Sequence, residues 1–212
     1  MSLLIECGVF NPLQVNTYFL VDSSTHECVI VDPACHTLSE QQAVDKYLSS
    51  KGFALVALWF THLHFDHVWG AAHILKSHPV PTYASFADLP VLAANARMTE
   101  AWGLPAPESF SITNPLSDGD KLSVGQYVFE VISTPGHTPG GLSFYCPSES
   151  LCLTGDTLFC GSVGRTDFEG GSLEALRVSV REKLFLLPPQ TEVLPGHGPS
   201  TTIADELQRC VV

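Results

Sequence analysis

The chain is short of positive charge. Ten Lys and Arg stand against 22 Asp and Glu in 212 residues, a formal net charge of −12. No cluster of cations is available to release counterions from a phosphate backbone, so nucleic acid is not an expected partner. Long apolar runs are also missing: nothing approaches the ~20 residues that a membrane span needs, and no membrane partner is expected. The apolar start, Leu3-Leu4-Ile5, has no basic lead-in and is too short for a signal peptide. Seven cysteines (Cys7, Cys28, Cys35, Cys146, Cys152, Cys160 and Cys210) form no Cys-x-x-Cys pair. An odd, scattered set of this kind argues against a zinc knuckle or a disulfide framework and fits free thiols, so a cytoplasmic location is expected.

What is present suits a packed globular protein: 45% hydrophobic and 15% charged residues. No linker-like stretch divides the chain, which reads as one domain over 1–212. Short apolar runs predict strands over 17–21, 28–32 and 54–60, then over 126–133, 141–146, 150–154 and 191–194. Helices are predicted over 39–51, from 66 or 67 to 77, over 86–102, over 172–187 and from about 202. Two features recur. An apolar strand closes on an acid (Val29-Ile30-Val31-Asp32; Leu151-Cys152-Leu153-Thr154-Gly155-Asp156), and a strand opens into a histidine loop. Strand blocks with intervening helices in each half predict an α/β fold, two sheets faced by helices on both sides.

Five of the nine histidines fall in loops just after predicted strands. The densest group is His62-x-His64-x-Asp66-His67. In an extended loop, residues two apart point the same way, so His62 and His64 can grip one ion. Where the chain turns into a helix, Asp66 and His67 are redirected towards a second. His137 in Pro135-Gly136-His137-Thr138, Asp156 in Gly155-Asp156-Thr157 and His197 in Pro195-Gly196-His197-Gly198 supply the remaining donors. The expected arrangement is His62, His64, His137 and Asp156 on one ion, with Asp66, His67, His197 and the shared Asp156 on the other. Zinc is the first expectation for two such divalent ions, and iron and manganese accept the same donors. Asp66 and Asp156 are the expected catalytic carboxylates. Asp32 either accepts a hydrogen bond from a ligand imidazole or simply opens the turn before Pro33. Arg165 either binds a substrate carboxylate or pairs with Asp167 or Asp156. Phe168 either packs on the substrate or joins the core. Cys160 is read as a small buried residue. His26, His36, His73 and His78 match no ligand pattern.

These motifs, with Thr61-His62-Leu63-His64-Phe65-Asp66-His67, Asn16-Thr17-Tyr18 and Gly164-Arg165-Thr166-Asp167-Phe168, resemble the metallo-beta-lactamase superfamily. Within it they are similar to the glyoxalase II (hydroxyacylglutathione hydrolase) branch and its small bacterial members. The resemblance runs from about residue 11 to 206. It implies the αβ/βα four-layer sandwich of two mixed sheets, a dinuclear site at one edge, and hydrolysis of a small thioester such as S-lactoylglutathione. Typical glyoxalase II enzymes add a C-terminal helical domain that builds much of the glutathione pocket. Here fifteen residues follow His197. An iron-dependent persulfide dioxygenase and a lactonase-type hydrolase of the same superfamily are the rival expectations.

Overall fold

The computed structural model describes residues 2–209. The first half of the chain supplies one sheet and the second half another. Strands β1 (Leu3–Phe10), β2 (Val15–Asp22) and β3 (Glu27–Val31) form an antiparallel meander. Helix α1 (Leu38–Lys51) crosses over to β4 (Ala54–Trp59), which lies parallel to β3. Thr37 and Glu40 close a capping box at the start of α1, and Gly52 ends it at φ 64°. Two short helices, α2 (Phe65–Val68) and α3 (Ala71–Ser77), lead to β5 (Thr82–Ala84). Helix α4 (Leu89–Ala101) and a long loop then reach β6 (Asn114–Pro115), and β4, β5 and β6 are parallel.

The second sheet contains β7 (Lys121–Val124), β8 (Tyr127–Ser133), β9 (Leu142–Cys146) and β10 (Leu151–Gly155) as an antiparallel meander. A small hairpin, β11 (Leu158–Phe159) and β12 (Ser162–Val163), and helix α5 (Leu173–Glu182) follow. Strand β13 (Glu192–Pro195) returns parallel to β10, and β14 (Thr201–Thr202) with α6 (Ile203–Arg209) closes the described chain. Both sheets are mixed. Their orders are β1-β2-β3-β4-β5-β6 and β14-β13-β10-β9-β8-β7.

The period of two along each strand decides the layers. On β2, Leu20 faces the other sheet, while Phe19 and Val21 face helices. Between the sheets lie Leu20, Val29, Val31 and Trp59, against Phe129, Val131, Phe144 and Leu153. Trp59 meets Phe129 edge-on at 5.3 Å between ring centroids. Outside the first sheet, Ile30, Leu58 and Phe60 pack on Val44 and Leu48 of α1 and on Val68 and Ile74. Outside the second, Cys152 and Val193 pack on Val180, Leu184 and Ile203. The result is the four-layer α/β sandwich expected from the motifs. No described helix is long and apolar enough to cross a membrane.

Several elements depart from the sequence expectation. Strand β1 was not anticipated: it is an edge strand with half-exposed side chains and lacks the continuous apolar run of a buried strand. The helix expected up to residue 77 is broken at Trp69–Gly70. Gly70 donates its N–H to the Pro33 carbonyl at 2.8 Å, and a Cβ there would stand 2.9 Å from that oxygen. The helix expected to reach 187 ends at Glu182 and gives way to a tighter turn, Leu184–Leu186. Six cysteines are described, and all are free. Burial pushes the Cys28 and Cys35 thiols up to about 12. Cys160 is half-buried beside the β11–β12 turn rather than buried, and Cys210 lies outside the described residues.

Candidate metal centre

Strand ends bring the site together. Asp32 follows β3, the 61–67 segment follows β4, His137 follows β8, Asp156 follows β10 and His197 follows β13. These ends meet at one edge between the two sheets. The structure thus collects His62, His64, Asp66, His67, His137, Asp156 and His197 into one cluster from four separate segments, with Asp32 behind them from a fifth. Six of the seven are buried, and His197 is partly exposed.

Four of the five imidazoles, those of His62, His67, His137 and His197, are held by one nitrogen and present the other. Thr61 Oγ1 gives its proton to Asp32 Oδ2 at 2.6 Å. That hydroxyl can therefore only accept from His62 Nδ1, 3.1 Å away, which leaves His62 Nε2 with a bare lone pair. His67 Nδ1 donates to Asp32 Oδ2 at 2.9 Å, His137 Nδ1 to the Arg165 carbonyl at 2.7 Å and His197 Nδ1 to the Leu13 carbonyl at 2.9 Å. All three then turn Nε2 inward. His64 presents Nδ1 instead, 2.9 Å from His137 Nε2.

The inward atoms surround Asp156. Its oxygens lie 3.5 Å from Nε2 of His67, His137 and His197. Asp66 Oδ2 is 3.6 Å from His197 Nε2 and 3.8 Å from His67 Nε2. Two donors at zinc-like bond lengths and tetrahedral angles stand roughly 3.4 Å apart, so this spacing suits ions between them. Donor atoms within 4.8 Å of one another form three groups: His62, His64 and His137; Asp66, His67 and His197; and Asp32, His62 and His67. The third group is already satisfied internally. Asp32 accepts from Thr61 N at 2.8 Å, from Thr61 Oγ1 and from His67, which leaves its carboxylate little to offer an ion.

Three inward atoms, His62 Nε2, His67 Nε2 and Asp156 Oδ1, are buried without a hydrogen-bond partner. Such orphans are costly unless something fills the gap. A proton does not serve for His62: burial first, then the neighbouring imidazoles, hold its pKa well below the ordinary value. Burial and His137 bring His64 down to about 3. At the other end burial opposes charge on His197, but Asp156 and Asp66 outweigh it and lift the pKa to about 10. Burial likewise opposes charge on Asp156, and the surrounding histidines still lower its pKa. A cation fits both ends, needing bare imidazoles at one and neutralising carboxylates at the other.

The shape of the site rests on residues that sequence reasoning left without a role. Asn16 Nδ2 donates to the Pro195 and Gly198 carbonyls, both at 2.9 Å, and Tyr18 Oη donates to Pro195 at 2.8 Å. Thr17 Oγ1 donates to the Asp32 carbonyl at 2.6 Å. The Asn16-Thr17-Tyr18 motif thus fixes the His197 loop and holds Asp32 in its left-handed conformation, φ 51°. Gly196 is required by proximity: a Cβ there would lie 2.2 Å from Asp156 Oδ1.

A cavity of about 380 Å³ opens onto the cluster, walled by Phe65, Met98, Trp102, Phe159, Val163 and Phe168. Arg165 and Phe168 both reach it. The Arg165 guanidinium forms a two-point ion pair with Asp167, at 2.7 and 2.6 Å, and lies 4.2 Å over the Phe168 ring. Of the open alternatives, the structure shows the Asp167 pairing for Arg165. For Asp32 it shows the contact to His67.

The metallo-beta-lactamase superfamily model matches residues 10–197. A probable metallo-hydrolase of Bacillus subtilis is 36% identical over 197 residues, 92% of this chain and 90% of that one. The mitochondrial persulfide dioxygenase ETHE1 of Bos taurus is 33% identical over 181 residues, 85% of this chain and 63% of that one. Among solved structures, TTHA1623 in a di-iron-bound form superposes with a TM-score of 0.86 at 34% identity, covering 97% of this chain and 98% of that one. Dinuclear metal binding is typical of this group. By sequence, fold and the donor set at its strand ends, the chain belongs to the metallo-beta-lactamase superfamily.

Proposed function

We propose that the protein is a dinuclear metal-dependent hydrolase of a glyoxalase II-like kind, cleaving S-lactoylglutathione or a related hydroxyacyl thioester in the cytoplasm. The observation that carries the metal reading is His62 Nε2, buried and unpartnered on an imidazole whose pKa burial and the neighbouring histidines hold well below the ordinary value. His62, His64 and His137 would hold one ion; Asp66, His67 and His197 would hold the other, with Asp156 shared. Zinc is the proposed metal, with iron or manganese accepted by the same donors.

When bound, two divalent ions lower the pKa of coordinated water towards about 7 and polarise a carbonyl. The chain's own residues do the rest. Asp66 sits where it can accept a proton from the attacking water and orient it. Thr61, Asp32 and the Arg165 and Leu13 carbonyls lock His62, His67, His137 and His197 in the tautomer that offers a lone pair inward. Phe65, Trp102, Phe159 and Phe168 shield the reacting centre and hold the acyl group. Arg165, pinned by Asp167, is the nearest fork for a substrate carboxylate.

Protein purified without added metal should hydrolyse S-lactoylglutathione, lose turnover to a chelator and regain it with zinc or iron. A second reading, persulfide oxidation, is favoured by the 33% identity to the persulfide dioxygenase. Oxygen uptake on glutathione persulfide, with no turnover of any thioester, would select it instead.

A further inference from the structure

The segment that carries His62 and His64 is gripped twice: once at Thr61 by Asp32, and once at the peptide between the two histidines. The second grip comes from outside every ligand motif. Asp88, fully buried just before α4, accepts from Leu63 N at 3.1 Å through Oδ2. The same oxygen accepts from Thr138 Oγ1 at 2.8 Å, and Oδ1 accepts from Gly140 N at 2.5 Å. One carboxylate therefore ties the His62/His64 loop to the His137 loop, across 25 residues in one direction and up to 52 in the other. Asn95, buried one and a half turns into α4, donates Nδ2 to the Leu63 carbonyl at 2.9 Å. The Leu63 peptide is thus held by its N–H and its C=O at once. Gly140 leaves the space for this approach: a Cβ there would lie 2.7 Å from Asp88 Oδ1.

We propose that Asp88, with Asn95 bracing the Leu63 peptide from the other side, is a positioning residue that fixes the distance between the His62/His64 loop and the His137 loop, and so sets the affinity of the ion those three histidines share. The proposal rests on the metal-site reading above. It assigns the pair no part in holding the second ion, because among the described residues their hydrogen bonds go to Leu63, Thr138 and Gly140 and not to the Asp66–His67 turn or the His197 loop. An outer contact of this kind typically changes metal affinity by about 10- to 100-fold. Asp88→Asn is the sharpest probe. All of Asp88's partners are donors, so an amide nitrogen must face one of them donor to donor.

The test is competitive zinc titration in two backgrounds. In His197→Ala, which weakens the second site, Asp88→Asn should lower affinity for the remaining ion by about tenfold or more. In His64→Ala, which weakens the first, Asp88→Asn should change affinity less than about twofold. Equal losses in both backgrounds, or no loss in the first, would overturn the proposal. If Asp88→Asn does not fold, Thr138→Val removes a single contact and should show the same one-sided loss at smaller size; unchanged affinity in both backgrounds would overturn it too. The parent reading fails differently. Wild-type protein that takes up no zinc sinks the metal site and the clamp together, whereas two zinc ions with no one-sided loss sinks the clamp alone.

Discussion

Asp32 and Asp156 occupy matching places in the two halves of the molecule. Each follows the first strand of a parallel pair, β3 beside β4 and β10 beside β13, and the second strand of each pair runs into a histidine loop. Their surroundings are opposite. Asp32 receives two donors from Thr61 and one from His67, and its carboxylate is spent inside the fold. Asp156 keeps Oδ1 unpartnered among inward-facing imidazoles. The difference lies in what the neighbouring loop donates. After β4 comes a threonine, whose N–H and hydroxyl saturate the acid. After β13 comes Gly196, which adds no side chain and leaves Asp156 exposed to the cluster. One half supplies a support and the other a ligand from the same strand-end position.

The largest effect expected from breaking this contrast is at Asp156. Asp156→Ala should abolish binding of both ions and reduce hydrolysis to background, while circular dichroism shows a folded chain; elemental analysis together with a thioester assay checks it. Asp32→Ala should act through the fold. It strands three buried donors and should cost the stripped protein about 3–5 kcal/mol in denaturant unfolding. Metal affinity should fall as well, by about 10- to 100-fold, since His67 loses its anchor. A variant at Asp32 with unchanged stability would erase the distinction between support and ligand.

The two ends of the cluster also titrate in opposite senses. His64, with a folded pKa of about 3, stays neutral while an unfolded chain takes up a proton near 6.5. Its contribution is therefore lost as pH falls from about 6.5 towards 3. His197, at about 10, holds a proton that the unfolded chain has released, so its contribution is lost as pH rises from about 6.5 to 10. Stability of the chelator-stripped protein, measured by denaturant across pH, should peak near neutrality and fall on both sides. A curve rising steadily to pH 9 would contradict the charge pattern at the His197 end of the cluster. The smallest effect is expected at Arg165. Its side chain is engaged with Asp167 in an exposed pair, and its backbone carbonyl is what holds His137. Arg165→Ala should keep both ions and lower kcat/KM by less than about tenfold.

The sequence made the ligand cluster readable because its chemistry is local: three imidazoles and a carboxylate within six residues have no ordinary packing role. The recurring strand-then-acid pattern also pointed to two similar halves. It left Asp32 open between a support for an imidazole and a plain turn residue, because the deciding contacts come from Thr61 and His67 on a neighbouring strand's loop. Asn16 and Tyr18 carried no legible role for the same reason: their partners lie about 180 residues away. Asp88 and Asn95 were invisible among ordinary helix-start and helix-interior residues. Strand β1 escaped as a half-exposed edge, and the break at Gly70 depends on the Pro33 carbonyl, which no helix pattern reveals.

The central claim is that seven side chains from four strand-end segments hold two divalent ions. Elemental analysis of protein purified without added metal, repeated after chelation and zinc reloading, tests it most directly. The account predicts two ions per chain before and after, with none retained by Asp156→Ala. A metal-free preparation that hydrolyses thioesters at full rate would contradict it.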